Sequence, residues 1–330
     1  MTIGRKAIGM EEYTIERGGA KATVCSRGAV VTSWVIPTAP PFNIIDGYRS
    51  RDEVEEGDGC RSAILAPWSN RIADARYTHA DIEYDLGTDE DGRREALHGL
   101  VTEADFTVVD QSHSAISLAT VIDADTYPHR VRIVVTYELG QRADSWILTT
   151  RIKGYNLGTG PTPMGLGWHP YICYDGPRDQ AYVTLPARTT IRTDDSLIPL
   201  EGDLAFASLE TYDPVTGLAT IKPLENLDTA FSDLTATPGE EALVTATLHH
   251  GSGAKTTMVA TAPASFTKAS GIVHLFTGEV LENRPGESLA FEYCQFMTDA
   301  FNRAECRDQL EVGPGDTRSM TVSLIHTPSP

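Results

Sequence analysis

Packed antiparallel β-sheets with few helices are the fold class this sequence predicts, and three observations predict it. Apolar residues recur with period two rather than at the 3.6-residue spacing of a helix, more than ten segments show that pattern, and Gly, Pro and Asp punctuate the gaps. A parallel α/β fold would need helices between the strands, and the pattern does not supply them.

The alternation is clearest in 130–139, where Val131, Ile133, Val135, Tyr137 and Leu139 share one side and Arg130, Arg132, Thr136 and Glu138 the other. That is a strand with one buried face. Trp146, Leu148 and Ile152 line one face of 145–153, and Met320, Val322 and Leu324 stand opposite Ser319, Thr321 and Ser323. In chain order the remaining expected strands are 11–16, 22–36, 104–110, 115–122, 180–185, 242–249, 256–261, 272–277 and 288–296. The acidic stretch 49–58 reads as a surface loop or short helix, and 85–92 and 194–217 as long loops on the sheets. No composition shift or fixed-period repeat divides the chain, so one domain over 1–330 is expected.

Charge narrows the partners. Lys and Arg total 27 against 46 Asp and Glu, a net charge of −19, which opposes nucleic acid and anionic membrane but is indifferent to a neutral small molecule. Cys25, Cys60, Cys173, Cys294 and Cys306 are odd in number and lack CxxC spacing, which fits a reducing compartment. Residues 1–20 contain no apolar run, and no stretch is long enough to cross a bilayer, so a soluble cytoplasmic protein is expected.

Several short motifs carry chemistry. In Gly165-Leu166-Gly167-Trp168-His169-Pro170-Tyr171-Ile172 one histidine is held between extended segments, in a turn whose two glycines permit unusual backbone angles and whose proline biases His169 towards extended geometry. In Ala66-Pro67-Trp68-Ser69-Asn70-Arg71-Ile72 a carboxamide and a guanidinium follow an aromatic plane, a set of donors and acceptors suited to adjacent hydroxyls. Leu97-His98-Gly99-Leu100 offers a second histidine, and Leu227-Asp228-Thr229-Ala230-Phe231 a carboxylate that either caps a turn or binds something. Glu292 lies inside the apolar strand 288–296, opposite Leu289, Phe291 and Tyr293. Burying an unpaired charge costs several kcal/mol, so this glutamate is paired, hydrogen-bonded or working.

Together, Asn70-Arg71, Leu97-His98-Gly99, Gly167-Trp168-His169-Pro170-Tyr171, Leu227-Asp228 and Glu292 through Asp299-Ala300-Phe301-Asn302 resemble the aldose 1-epimerase (mutarotase) family, over about 230 residues. The resemblance implies an all-β fold, a large antiparallel β-sandwich of the galactose mutarotase type, with a monosaccharide in an open cleft and neither cofactor nor metal. It implies that Glu292 is the general base on the anomeric hydroxyl and His169 the general acid for the ring oxygen. Arg71, His98 and Asp228 would hold sugar hydroxyls, with Asn70 supporting them. Trp-His-Pro-Tyr-Ile is closer to the branch carrying His-Pro-Tyr-Phe than to that carrying Asn-His-x-Tyr-Phe-Asn, Thr298 stands where proline is usual, and His98 is followed by Gly-Leu instead of Gly-Gly.

These residue types suit the chemistry. Exchanging α and β anomers needs a proton taken from the C1 hydroxyl and one given to the ring oxygen, and each positioned transfer contributes roughly 10² to 10⁴ in rate. The pair is therefore expected within about 10 Å of each other, with a sugar ring between them. Three rivals stand beside this reading. One is a sugar-binding or sensor protein on the same fold. Another is a hexose-6-phosphate 1-epimerase, which would need a phosphate cluster such as Arg71, Arg76, Arg93 and Arg94. The third is a metal enzyme using His98, His169 and Glu292. His249-His250 adds little to the third, since adjacent strand residues point to opposite faces.

Overall fold

The computed structural model describes residues 10–87, 96–239, 241–263 and 267–329. Among them strands dominate, and every pairing within the named strands is antiparallel. A ten-stranded sheet has at its centre Ala115–Ala124, Tyr127–Arg142, Ser145–Asn156, Thr317–Thr327, Lys255–Thr261 and Leu243–His249. An eight-stranded sheet runs in the order Phe206–Ser208, Ala187–Ile191, Asp228–Leu234, Ser270–Phe276, Ser288–Phe296, Gly167–His169 and Ala63–Leu65, and Tyr171–Cys173 also pairs with Ser288–Phe296. A smaller four-stranded sheet is built from Glu12–Arg17, Ala20–Cys25, Val31–Ile36 and Phe42–Asn43.

The two large sheets pack face to face. Val131, Ile133, Val135, Tyr137 and Leu139 are all buried, and the Tyr137 ring meets Trp168 of the eight-stranded sheet at 6.5 Å. Polar links cross the same layer: the Tyr293 hydroxyl donates to the Thr261 carbonyl at 3.0 Å, and Gln295 Nε2 to the Ser319 carbonyl at 2.8 Å. The Ser288–Phe296 strand is buried along its whole length, so both of its faces must be covered. Leu289, Phe291 and Tyr293 pack towards the large sheet, which turns Glu292 the other way.

Two expected elements differ, and a third, 49–58, takes the short-helix form, one of the two expected for it. The stretch 22–36 is not one strand: Ala20–Cys25 and Val31–Ile36 form a hairpin, closed by Cys25 N–H donating to the Val30 carbonyl at 2.9 Å with Gly28 and Ala29 at positive φ. The acidic 49–58 forms the helix Arg51–Glu56, begun by the Ser50 side chain accepting from Glu53 N–H and ended by Gly57 at φ 70°. Within 194–217, Phe206–Ser208 and Tyr212–Asp213 supply an edge strand to each large sheet, so it is more than a loop. Of 85–92, Asp85 closes a hairpin strand and 88–92 lies outside the described residues.

Candidate functional site

Register alone assembles the centre of the site. His274 pairs with Glu292 on the adjacent strand, Trp168 pairs with Tyr293, and the same register sets His169 opposite Glu292. Ala230 pairs with His274 at one end of this row and Ala63 with His169 at the other. Ala230, His274, Glu292, His169 and Ala63 therefore stand side by side on one face of the sheet, at the roughly 5 Å spacing of cross-strand neighbours. Small alanines at both ends leave space around two imidazoles and the carboxylate between them.

Alternation explains why His169 joins that row. Trp168 is fully buried between the sheets, so the next residue points to the opposite face. The expected turn at this histidine is instead continuous strand. Gly167 pairs with Cys294 and Tyr171 with Ala290 in one unbroken register, and the Pro170 carbonyl still accepts from Phe291 N–H at 2.9 Å. Neither Gly165 nor Gly167 adopts a positive φ, so their value is size rather than conformational freedom. A Cβ at Gly167 would lie 3.1 Å from both Cys294 Sγ and Leu65 Cδ1, and one at Gly165 2.9 Å from the Phe296 ring.

His169 Nε2 lies 3.3 Å from Glu292 Oε1, and the two side chains are almost wholly buried. Contact this close leaves no room for a sugar ring between them, contrary to the expectation from sequence. A ring must lie across both, from the cleft side. Glu292 Oε2 and His169 Nδ1 are buried without a hydrogen-bond partner. Tyr171 stacks on the His169 ring at 5.2 Å, and the buried Arg61 guanidinium lies over the Tyr171 ring, 4.7 Å from its centroid. Arg61 is itself anchored by Asp46 at 2.7 Å, so the histidine rests on a braced aromatic plane.

The other expected residues come from the short paired strands Arg71–Ile72 and Ala96–Leu97 and from Asp228–Leu234. Asn70 and His98 both adopt the left-handed conformation and hold each other: His98 N–H donates to the Asn70 carbonyl at 2.8 Å, and Asn70 N–H to His98 Nδ1 at 3.2 Å. His98 Nδ1 is thus an acceptor, and the proton of the neutral ring sits on Nε2. Its ring meets His169 edge-on at 5.2 Å. Asn70 Oδ1 accepts from Arg71 Nη1 at 3.3 Å. All six residues expected from sequence, Asn70, Arg71, His98, His169, Asp228 and Glu292, line one cleft of about 570 Å³. Beyond His98 an adjoining cavity of about 450 Å³, lined by Trp68, Leu97 and Leu100, touches the row only at Ala63 and reaches neither His169, Glu292 nor His274.

The Asp299-to-Asn302 motif does not face the cleft. Asp299 Oδ1 accepts from Ala73 N–H at 3.0 Å and from Asn302 Nδ2 at 2.7 Å, while Asp299 N–H donates to the Arg71 carbonyl at 2.7 Å. It fastens the segment carrying Arg71. Burial pushes the Asp299 carboxyl up, outweighing the Ala73 and Asn302 hydrogen bonds, which lower it.

His274 was not singled out from sequence. It lines the cleft, and its Nε2 lies 2.7 Å from Asp228 Oδ1. The signal was available: a histidine inside Ile272-Val273-His274-Leu275-Phe276 breaks an apolar strand as Glu292 breaks the next one.

Electrostatics separates the three histidines. Burial, then His169 and Arg71, hold His98 well below the ordinary histidine value. Burial also pushes His169 down, outweighing the nearby Glu292 carboxylate. For His274 burial acts in the same sense, but Glu292 and the hydrogen-bonded Asp228 overcome it and raise the ring above 6.5. Burial likewise pushes the Asp228 carboxyl up, but His274 and Arg71 leave it below the usual carboxylate value. Burial thus lowers two of the imidazoles, while the groups beside the third raise it.

Arg76, part of the phosphate cluster weighed from sequence, is engaged by Glu83 at 3.2 Å and Asp85 at 3.0 Å, and Arg93 and Arg94 lie outside the described residues. Among the described residues no three His, Cys, Asp or Glu side chains converge as metal ligands do, and no helix is long and apolar enough to cross a membrane.

Comparison with known proteins gives a consistent picture. The sequence model of the aldose 1-epimerase family matches residues 11–324. An uncharacterized protein of Escherichia coli K12, YihR, is 30% identical over 138 residues, 41% of this chain and 44% of that protein. Among solved structures, a GalM/aldose epimerase homologue from C. elegans superimposes with a TM-score of 0.78 at 17% identity, covering 97% of this chain and 100% of the other. A galactose mutarotase-like protein from Clostridium acetobutylicum gives 0.75 at 13% identity, covering 97% and 96%. The fold is thus the galactose mutarotase-like β-sandwich.

Proposed function

This chain belongs to the aldose 1-epimerase family, and from that premise we propose that it interconverts the α and β anomers of an unphosphorylated aldose, with Glu292 as base and His169 as acid. The observation that carries the reading is the buried Glu292–His169 contact in the cleft, with Glu292 Oε2 left without a partner. That oxygen takes the proton from the C1 hydroxyl as the bond from C1 to the ring oxygen breaks, and His169 gives a proton to the ring oxygen. The C1 carbonyl of the open chain rotates. The ring oxygen then adds to its other face, returning its proton to His169 while Glu292 reprotonates the new C1 hydroxyl. Each group ends as it began, and no redox step or covalent intermediate is required.

Arg71, His98 and Asp228 hold hydroxyls around this centre, with Asn70 fixing both Arg71 and His98. The rim favours an uncharged sugar: Glu56, Asp58 and Glu282 line the cleft and repel a phosphate, while Arg76 is spent on Glu83 and Asp85. We propose a reducing, cytoplasmic setting, which the odd number of cysteines without CxxC spacing supports.

The test is anomer interconversion by exchange NMR or polarimetry with glucose, galactose and other aldoses, corrected for the spontaneous rate. Acceleration of at least one free aldose, and weaker acceleration of its 6-phosphate, is expected. A protein that binds an aldose and never exceeds the spontaneous rate is a sugar sensor, and the enzymatic reading fails.

A further inference from the structure

The residue left unassigned is His274. It is buried at the middle of the sheet and lines the cleft. Two contacts define it: Nε2 reaches Asp228 Oδ1 at 2.7 Å, and the antiparallel register makes it the direct neighbour of Glu292, on the side away from His169. Glu292 therefore has an imidazole on each flank, one touching it and one also tied to a carboxylate at the rim.

Asp228 needs that tie. It is the first residue of its strand, its side chain is 42% exposed, and a carboxylate in that position turns freely about its own bonds unless something anchors it. Ala230, two residues along on the same face, is the direct register partner of His274, so the ring reaches diagonally past an alanine to the carboxylate. A longer side chain at 230 would fill that path. Acceptance of a hydrogen bond by a carboxylate requires the proton on Nε2, which fixes the orientation of both groups.

We propose that His274 is a positioning residue: its ring, donating from Nε2 to Asp228, holds that carboxylate in the orientation that receives the sugar hydroxyls, while standing beside Glu292 as its second imidazole neighbour. The assignment rests on the sugar-epimerase reading of the cleft. The charged and titratable groups facing His274 are Glu292 on one neighbouring strand, Asp228 on the other, His169 beyond Glu292 in the same row, and Arg71 and His98 from the short paired strands. Two of these are carboxylates, and against burial and Arg71 they raise the ring, where burial lowers His98 and His169.

The test has two arms. In ring ¹⁵N spectra of the parent, the signal that disappears in His274→Gln should titrate above pH 6.5, and in Asp228→Asn its midpoint should fall. A midpoint below 6.5, or one that Asp228→Asn does not move, overturns the proposal. This arm needs neither sugar nor turnover, so it decides the matter even if the epimerase reading fails. In the second arm, glucose and galactose interconversion is measured. His274→Phe should raise KM roughly ten- to a hundredfold, the scale for removing a group that orients a binding residue, with kcat changed less. His274→Gln keeps a donor and should recover most of that loss. An unchanged KM in His274→Phe, or no recovery in a folded His274→Gln, sinks the assignment.

Discussion

At the scale of single residues, the site turns on one carboxylate and the imidazole touching it. Glu292→Gln preserves shape and hydrogen bonding but cannot take a proton, so the rate of anomer exchange should drop roughly 10² to 10⁴ while sugar affinity changes little. If that variant keeps the parent's rate, Glu292 is structural and the base lies elsewhere. The acid has its own signature. Burial holds His169 below 6.5, and the reactive form requires its protonated ring, so kcat/KM should fall as pH rises through a value under 6.5. Polarimetry across pH 4.5 to 8 checks this, and His169→Asn should abolish that limb. An alkaline limb lying above 6.5 would instead follow His274, the ring that Glu292 and Asp228 raise.

At the scale of elements, the site depends on segments that look like connections. The strand Ala96–Leu97 ends in His98 and Gly99, both at positive φ, and Gly99 lies against the Ala66 backbone. A Cβ at Gly99 would stand 2.1 Å from the Ala66 carbonyl oxygen, in a conformation that L side chains avoid. Gly99→Ala should therefore destabilise the protein by more than about 1 kcal/mol and, by pushing His98 away from Asn70, raise KM as well. Denaturant melts together with sugar kinetics read both effects. A variant as stable as the parent would show that this loop yields freely. Asp299 and Asn302 belong to the same scale, since they fasten the Arg71 segment without reaching the cleft. A residue can thus be part of a family pattern because it holds another residue in place.

For the whole molecule, buried histidines set the response to acid. Burial takes His129 down to about 4, His250 to about 3 and His326 to about 4, and lowers His98, His169 and His249 too, while His274 alone is raised. Between 6.5 and those folded values the unfolded chain binds protons that the folded chain refuses, so stability falls as pH drops. His274 acts in the opposite sense, adding stability below 6.5 that is lost as pH rises through its folded value, but it is one ring against six. The melting temperature should decline steadily from pH 7 to 4, and a flat profile would contradict the burial of these rings. We propose that the chain folds as one domain, for which calorimetry should show one cooperative transition. Two separated transitions would divide it.

What the sequence by itself determined is whatever repeats locally. Period-two alternation is imposed by the pleat, so Val131 to Leu139 disclosed a strand and its buried face, and a glutamate inside Leu289 to Phe296 disclosed a charge that must have a purpose. The motif residues Asn70, Arg71, His98, His169 and Asp228 were legible as a set through their order along the chain. What only the tertiary structure decided is register. Whether Glu292 faces His169 directly or across a sugar ring depends on how two strands far apart in sequence slide against one another, and a shift of one residue would send every side chain to the other face. His274 stayed unnoticed for the same reason. Its neighbours Asp228 and Glu292 lie 46 and 18 positions away, and a histidine among aliphatic residues carries no mark of what stands beside it until the sheet is assembled.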